Sequence, residues 1–228
     1  MKQLIRNNWL FLSLSLLFIV ALGIALIGIP KGDLHLWLCD RHTPFGDYFF
    51  RYYTHVAEWF PYALCVLILL FCRVGDAAFA ASCQALSALT TQIIKHILVA
   101  PRPLTWFEMH MPQVQLPLVD GVQMNYWLSF PSGHTTSFFA LFFALCVIVS
   151  QSATMQQHKS LHALLQLILF VLAVLGGYSR IYLSQHFALD VFGGACVGIL
   201  ITLGCYAIFS RYEDKNWYNY RLLKKNEG

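Results

Sequence analysis

Residues 129–137 read SFPSGHTTS, and they run straight into FFALFFALCVIVS at 138–150. How this junction is read decides the fold. Pro131 and Gly133 punctuate the chain, Ser132 suits a helix N-cap, and the run that follows is apolar enough to be a transmembrane helix. His134 then stands where an apolar side chain would cost less. A helix opening on Pro-Ser-Gly-His points free backbone N–H groups and the positive end of its dipole at the preceding loop. That end favours an anion, and Gly133 permits close backbone approach to one.

Outward from the junction, the composition is that of a chain solvated by lipid. The 228 residues are 58% hydrophobic and 11% charged, with a mean hydropathy of +0.59. Soluble domains carry about 25% charged residues. At roughly 20 apolar residues per span, the chain divides into six candidate transmembrane helices at 8–29, 56–73, 76–99, 133–150, 162–183 and 187–209. An all-α, polytopic membrane bundle forming a single domain over 1–228 is expected. The apolar run from Trp9 to Ile29 follows Lys2 and Arg6 as a signal peptide would. It is too long for a signal h-region and reads as a retained first span.

The net charge of +4 is spread along the chain and does not suggest nucleic-acid binding. Cys65, Cys72, Cys83, Cys146, Cys196 and Cys205 lie in or beside apolar runs, and only Cys39 lies in a long polar loop, so no disulfide framework is expected. Six spans put both termini on one side. That side collects Lys2, Arg6, Arg73, Lys159, Arg211, Lys215, Arg221, Lys224 and Lys225. The other side holds Lys31, Arg41, Arg51, Lys95, Arg102 and Arg180. The positive-inside rule makes both termini cytoplasmic, together with the polar tail 211–228. Residues 30–55 and 100–132 then face outward. Their Trp, Tyr and Phe content suits the membrane–water interface.

Three clusters fall on that outward side. KHILVAPRP supplies Lys95 and Arg102, PSGH supplies Ser132, Gly133 and His134, and SRIYLSQHFALD supplies Arg180, His186 and Asp190. Lys95 continues a polar stripe, Gln84–Ser87–Thr91, at helical spacing. Ser87 and Thr91 read as interhelical glue, whereas a cation at a span end needs a partner. Lys95, Arg102 and Arg180 are three cations beside a low-dielectric bundle with few nearby acids, a costly arrangement unless an anion compensates it. Phosphate is the natural anion: Arg presents forked donors and Lys a point charge. His186 and Asp190, four apart, share a helical face, so the carboxylate can hold one ring nitrogen and leave the other as nucleophile or base. His134 offers a second imidazole. The remaining histidines, His35, His42, His55, His96, His110, His158 and His162, read as structural or interfacial. A metal is not expected, because the three cations would repel a divalent ion from His134, His186 and Asp190.

Lys, six residues, Arg-Pro; then Pro-Ser-Gly-His; then Ser-Arg, five residues, His, three residues, Asp: this three-part pattern over 95–190 resembles the type 2 phosphatidic acid phosphatase superfamily. The resemblance implies a six-helix membrane phosphatase with an outward-facing site and no cofactor. In it, His186 would attack phosphorus, Asp190 would orient His186, and His134 would protonate the leaving oxygen. Lys95, Arg102, Ser132, Gly133 and Arg180 would hold the phosphate oxygens. A site at a membrane surface implies a lipid phosphate as substrate, at a bacterial plasma membrane and with no obligatory protein partner. Undecaprenyl pyrophosphate, phosphatidylglycerophosphate, phosphatidic acid and a lipid A phosphate all stay open as substrates. So does transfer to an acceptor other than water. A non-catalytic anion transporter or scaffold would not need the His186–Asp190 pair.

Three features carry weaker expectations. In the loop 104–130, Trp106, Phe107, Met109, Met111 and Trp127 could form a lid or a surface for lipid access, or simply anchor at the interface. Glu58 could pair with a site cation, select headgroups, or sit as an ordinary interfacial acid. Gly194 and Gly198, four apart, permit close helix packing beside His186.

Overall fold

In the computed structural model, which describes residues 1–222, the chain is a helical bundle. Lys224, Lys225 and the end of the expected cytoplasmic tail lie outside the described residues. A short α1 (Lys2–Asn7) leads into α2 (Trp9–Gly28). Two further helices, α3 (Lys31–Cys39) and α4 (Pro44–Tyr53), precede a 3-10 turn at Thr54–Ala57 and α5 (Trp59–Cys72). The remaining elements are α6 (Val74–Leu98), α7 (Pro103–His110), α8 (Gly133–Ser150), α9 (Ala153–Gln157), α10 (Lys159–Tyr182) and α11 (Ala188–Phe209). Among the described residues five helices are long and apolar enough to cross a membrane, and six if the bent pair before and after Glu58 counts as one span.

α8 is the axis. Every residue from Thr135 to Ala144 is buried, because α6, α10 and α11 pack around it. That is why its sequence is apolar on all faces rather than on one. α2 lies at the periphery, with Leu16, Leu17, Ile24 and Ile27 exposed, as a lipid-facing helix requires.

The expected boundaries hold closely for five spans, while the second differs. Residues 56–73 are not one helix. Glu58 is extended, and the segments on either side of it meet at 54°. The cause is local. Pro61 sits in the first turn of α5, where a missing N–H is harmless, but in a continuous helix its ring would meet the carbonyl of Ala57. α5 is therefore 14 residues long, about 21 Å at 1.5 Å per residue. The segment 30–55 is not a loop but α3 and α4, which leave Trp37, Phe45, Tyr48 and Tyr52 exposed. Cys39, read as a loop cysteine, is fully buried, and all seven cysteines are free.

α11 lies unusually close to α8. A Cβ on Gly194 would stand 2.7 Å from the Ser132 carbonyl oxygen, and one on Gly198 would stand 2.6 Å from that of Thr136. Only glycine allows this backbone-to-backbone approach. It brings the start of α11 against the start of α8.

Candidate active site

The three sequence clusters converge where α6, α8, α10 and α11 end on one side of the bundle. α6 stops at Val99, which adopts φ 42° as a left-handed cap, ahead of Pro101. The chain beyond runs beside residues 126–129. Arg102 N donates to Tyr126 O at 2.9 Å, and Ser129 N to Ala100 O at 3.0 Å. The carbonyls of the same segment receive the cations: Lys95 Nζ donates to Leu128 O at 2.6 Å, and Arg102 Nε to Trp127 O at 3.0 Å.

α10 ends at Tyr182, and a tight turn folds back so that the N–H groups of Gln185 and His186 both donate to Arg180 O, at 2.9 and 3.0 Å. Ser184 takes φ 49° to close it. His186 is thus tied by its backbone to Arg180. Its side chain faces Asp190 one helical turn on, Nδ1 lying 3.3 Å from Oδ2. The same oxygen accepts from Phe187 N at 2.8 Å and from Ser129 Oγ at 2.5 Å. Three contacts therefore fix the carboxylate, and the carboxylate fixes the imidazole. Among the described residues Nε2, on the far edge of the ring, has no hydrogen-bond partner.

Ser132 caps α8, its Oγ accepting from Thr135 N at 3.3 Å and from Thr135 Oγ1 at 2.9 Å, while its own N–H donates to Asp190 O at 2.9 Å. It is fully buried, and its hydroxyl proton remains available to donate. At Gly133 a Cβ would make only ordinary contact with Thr91, at 3.6 Å. Packing within the protein does not explain the glycine there. His134 and Arg180 both line a cavity of about 350 Å³.

The electrostatics are one-sided. Lys95 and Arg180 are 7% and 6% exposed. Among the described residues none of Lys95, Arg102 and Arg180 has a carboxylate within 4.0 Å. Arg180 Nη1 donates to Thr54 Oγ1 at 2.5 Å, and its Nε is buried without a partner. Burial, reinforced by the charges of Arg102, Arg180 and Lys95, holds the pKa of His186 well below its ordinary range. The imidazole is therefore neutral near pH 7, as a nitrogen nucleophile must be.

Sequence reasoning missed Ser129, which holds Asp190, and Thr54, which holds Arg180. It also missed Gln185, whose side-chain and backbone oxygens accept from Arg102 Nη1, both at 3.3 Å. His55, expected to be structural or interfacial, lines the cavity beside Glu58. No local pattern marks these residues, because they act on elements remote in sequence. Of the possible lid residues, Phe107 is buried between His35 and Phe187, and Trp106 packs on His110 and Phe187. Those two brace the turn that carries Asp190. Met109 and Trp127 remain exposed.

The model of the PAP2 superfamily matches residues 76–214, which contain all three clusters. The chain belongs to the PAP2 superfamily. The chain is 36% identical over 110 residues to the lipid A 1-phosphatase of Porphyromonas gingivalis, covering 48% of this chain and 22% of that protein. It is 36% identical over 100 residues to lipid phosphate phosphatase 1 of Arabidopsis thaliana, covering 42% of this chain and 31% of that protein. The aligned stretches thus span less than a third of either relative's length. The crystal structure of a transmembrane PAP2-type phosphatidylglycerolphosphate phosphatase from Bacillus subtilis superposes with a TM-score of 0.65. The match covers 90% of this chain and 98% of that one at 20% identity, a likeness of fold. Like that PAP2 neighbour, the protein is an integral membrane helical bundle.

Proposed function

We propose that the protein is a lipid phosphatase of one membrane domain, and that it cleaves a phosphate ester or pyrophosphate through a phosphohistidine. One observation carries the reading. Three cations without acid partners surround a histidine that is neutral and held by a carboxylate. Binding an anion would need the cations only. The histidine–aspartate pair supplies a nucleophile.

In this reading Lys95, Arg102 and Arg180 hold the phosphoryl oxygens, with the hydroxyl of Ser132 and the backbone at Gly133, and stabilise the charge that grows in the transition state. Nε2 of His186 attacks phosphorus, and a P–N bond forms as the P–O bond to the leaving group breaks. His134 gives its proton to the departing oxygen. Asp190 accepts from Nδ1 and stabilises the ring as it becomes cationic. Water then attacks phosphorus, passing a proton to His134, and the P–N bond breaks to release inorganic phosphate and neutral His186. No step calls for a metal. The lysine and arginine count by side supports cytoplasmic termini and a site on the outer face of a bacterial plasma membrane.

Phosphate release by the purified protein from a panel of lipid phosphates tests this. Release should survive EDTA, fall with vanadate and drop by at least about 10³-fold in His186→Ala. The acid limb of kcat/KM should lie below the ordinary histidine value of about 6.5, because the pKa of His186 is depressed. Full activity in His186→Ala sinks the mechanism, and release only with a divalent metal sinks the metal-free route.

A further inference from the structure

The cavity that reaches His134 and Arg180 continues past them. It is lined on one side by His134 and Arg180, next to the cradle formed by Lys95, Arg102 and Arg180, and its further lining, called here the outer wall, includes Arg51, His55, Glu58, Gln123 and Asn125. The wall is built onto the cradle. The 3-10 turn that holds His55 is anchored to Arg180 through Thr54. The opposite loop is anchored through Gln185, whose Nε2 donates to Gln123 O at 3.2 Å. Arg51 is held by Asp120 O at 2.9 Å over the backbone of Gly121, where φ is 74° and a Cβ would meet the guanidinium at 2.5 Å.

Chemically the outer wall is unlike the cradle. It carries one cation, one carboxylate and neutral amides instead of three cations. Glu58 Oε1 lies 2.6 Å from His55 Nδ1, a second histidine–carboxylate pair, with side chains 45% and 54% exposed. A second phosphate lodged here would meet the Glu58 carboxylate, with Arg51 as the one cation on this wall. A hydroxyl instead finds acceptors on Glu58 and on Nε2 of His55, and a donor on Asn125.

We infer that the outer cavity is a leaving-group subsite that takes a neutral headgroup bearing free hydroxyls, of the glycerol or sugar class, with Glu58 as its principal acceptor. The inference rests on the phosphatase reading: a leaving oxygen beside His134 places the rest of the headgroup along this wall. The volume suits it. At about 30 Å³ per water, 350 Å³ is the space of roughly a dozen waters, enough for a phosphate and one glycerol or hexose. A bare diacylglycerol would bring no further hydroxyl to Glu58 or Asn125. A prenyl phosphate leaving group would set an anion against Glu58.

The test measures kcat/KM in mixed micelles on four substrates: phosphatidylglycerophosphate, a glycolipid 1-phosphate, phosphatidic acid and a prenyl pyrophosphate. Wild-type protein should favour a hydroxyl-bearing substrate over phosphatidic acid. Glu58→Leu should cut that ratio about tenfold, the scale of one hydrogen bond to a charged group. Glu58→Gln keeps an acceptor but removes the charge. It should retain most of the ratio and raise the prenyl pyrophosphate, relative to the hydroxyl-bearing substrates, by about fivefold. Ratios cancel any loss of folded protein, so a poorly folding variant still reports. Whether the glycerol or the sugar substrate loses more in Glu58→Leu identifies the headgroup. Unchanged ratios in both variants, or a wild-type preference for the pyrophosphate, overturn the subsite alone. No release from any substrate by the wild type overturns the phosphatase reading, and the subsite with it.

Discussion

The two ends of the bundle use the same residue types in opposite ways. At the end that holds α1 and residues 211–222, Arg73 makes a two-pronged bond to Asp76, Nε to Oδ2 at 2.9 Å and Nη2 to Oδ1 at 2.6 Å, and also bonds Gln151. The Asn8 amide donates to Leu4 O and Ser150 Oγ, and Gln166 receives the N–H of Phe11 while donating to Asn7 O. These polar groups close on one another, which is how buried polar networks contribute to a fold. At the other end Lys95, Arg102 and Arg180 have only neutral oxygens as partners, and Arg180 Nε has none. Charge that is balanced within the protein holds the structure together; charge left unbalanced makes it ready for a ligand. α8 spans both regimes, with Ser132 and His134 at one end and Ser150 at the other.

Between the two ends of the bundle, the largest expected effect comes from erasing the imbalance. Arg180→Gln should lower phosphate release by about 10²-fold or more, the usual cost of a lost transition-state donor. It should not lower thermal stability, because an uncompensated buried cation is removed. Vanadate should raise the melting temperature of the wild type and do so much less in the variant. A clear loss of stability in Arg180→Gln would put this arginine in the structural class with Arg73.

Gly198→Ala bears on both classes at once. Its Cβ would overlap the Thr136 carbonyl oxygen at 2.6 Å, so α11 must move off α8 and carry His186 and Asp190 with it. The expected loss is about 2 kcal/mol of stability, with kcat falling in the protein that remains folded. Asp76→Ala is the complement of Arg180→Gln. It should cost about 2 kcal/mol by leaving Arg73 unpaired and leave the kcat of folded protein unchanged.

The smallest expected effect at neutral pH is at His35, in α3. Both ring nitrogens are buried without partners, and burial lowers its pKa to about 4. A histidine whose folded pKa lies below its unfolded value stabilises fully above about 6.5 and loses that contribution as pH falls toward 4. The size is about 3 kcal/mol, at 1.36 kcal/mol per pKa unit. His35→Phe should be near neutral at pH 7 and should flatten the loss of stability between pH 6.5 and 4, as thermal melts across that range would show.

Much of this was legible along the chain. The spans are legible because lipid demands about 20 apolar residues at a stretch. The single failure, at 56–73, traces to Pro61, whose effect on Ala57 is a local steric rule that a hydropathy reading passes over. The cradle and the pair His186–Asp190 are legible because cations in apolar surroundings are expensive and therefore conspicuous. Ser129, Thr54 and Gln185 are not, because a serine, a threonine or a glutamine near a span end costs little in water, and its sequence neighbours do not betray what it will touch.

Sequence alone sufficed for the helical membrane architecture, for five of the long helices, and for the charged groups that stand beside apolar runs. Only the tertiary structure decided how these groups face one another. Gly194 and Gly198 set α11 against α8. The segment 126–129 gathers Lys95 and Arg102, and Thr54 brings the His55–Glu58 wall to Arg180. The reason is physical. Solvation cost is a property of each residue and its near neighbours, so it can be read along the chain. Hydrogen-bond partnership and close backbone approach join residues tens of positions apart, and they exist only once the helices have packed.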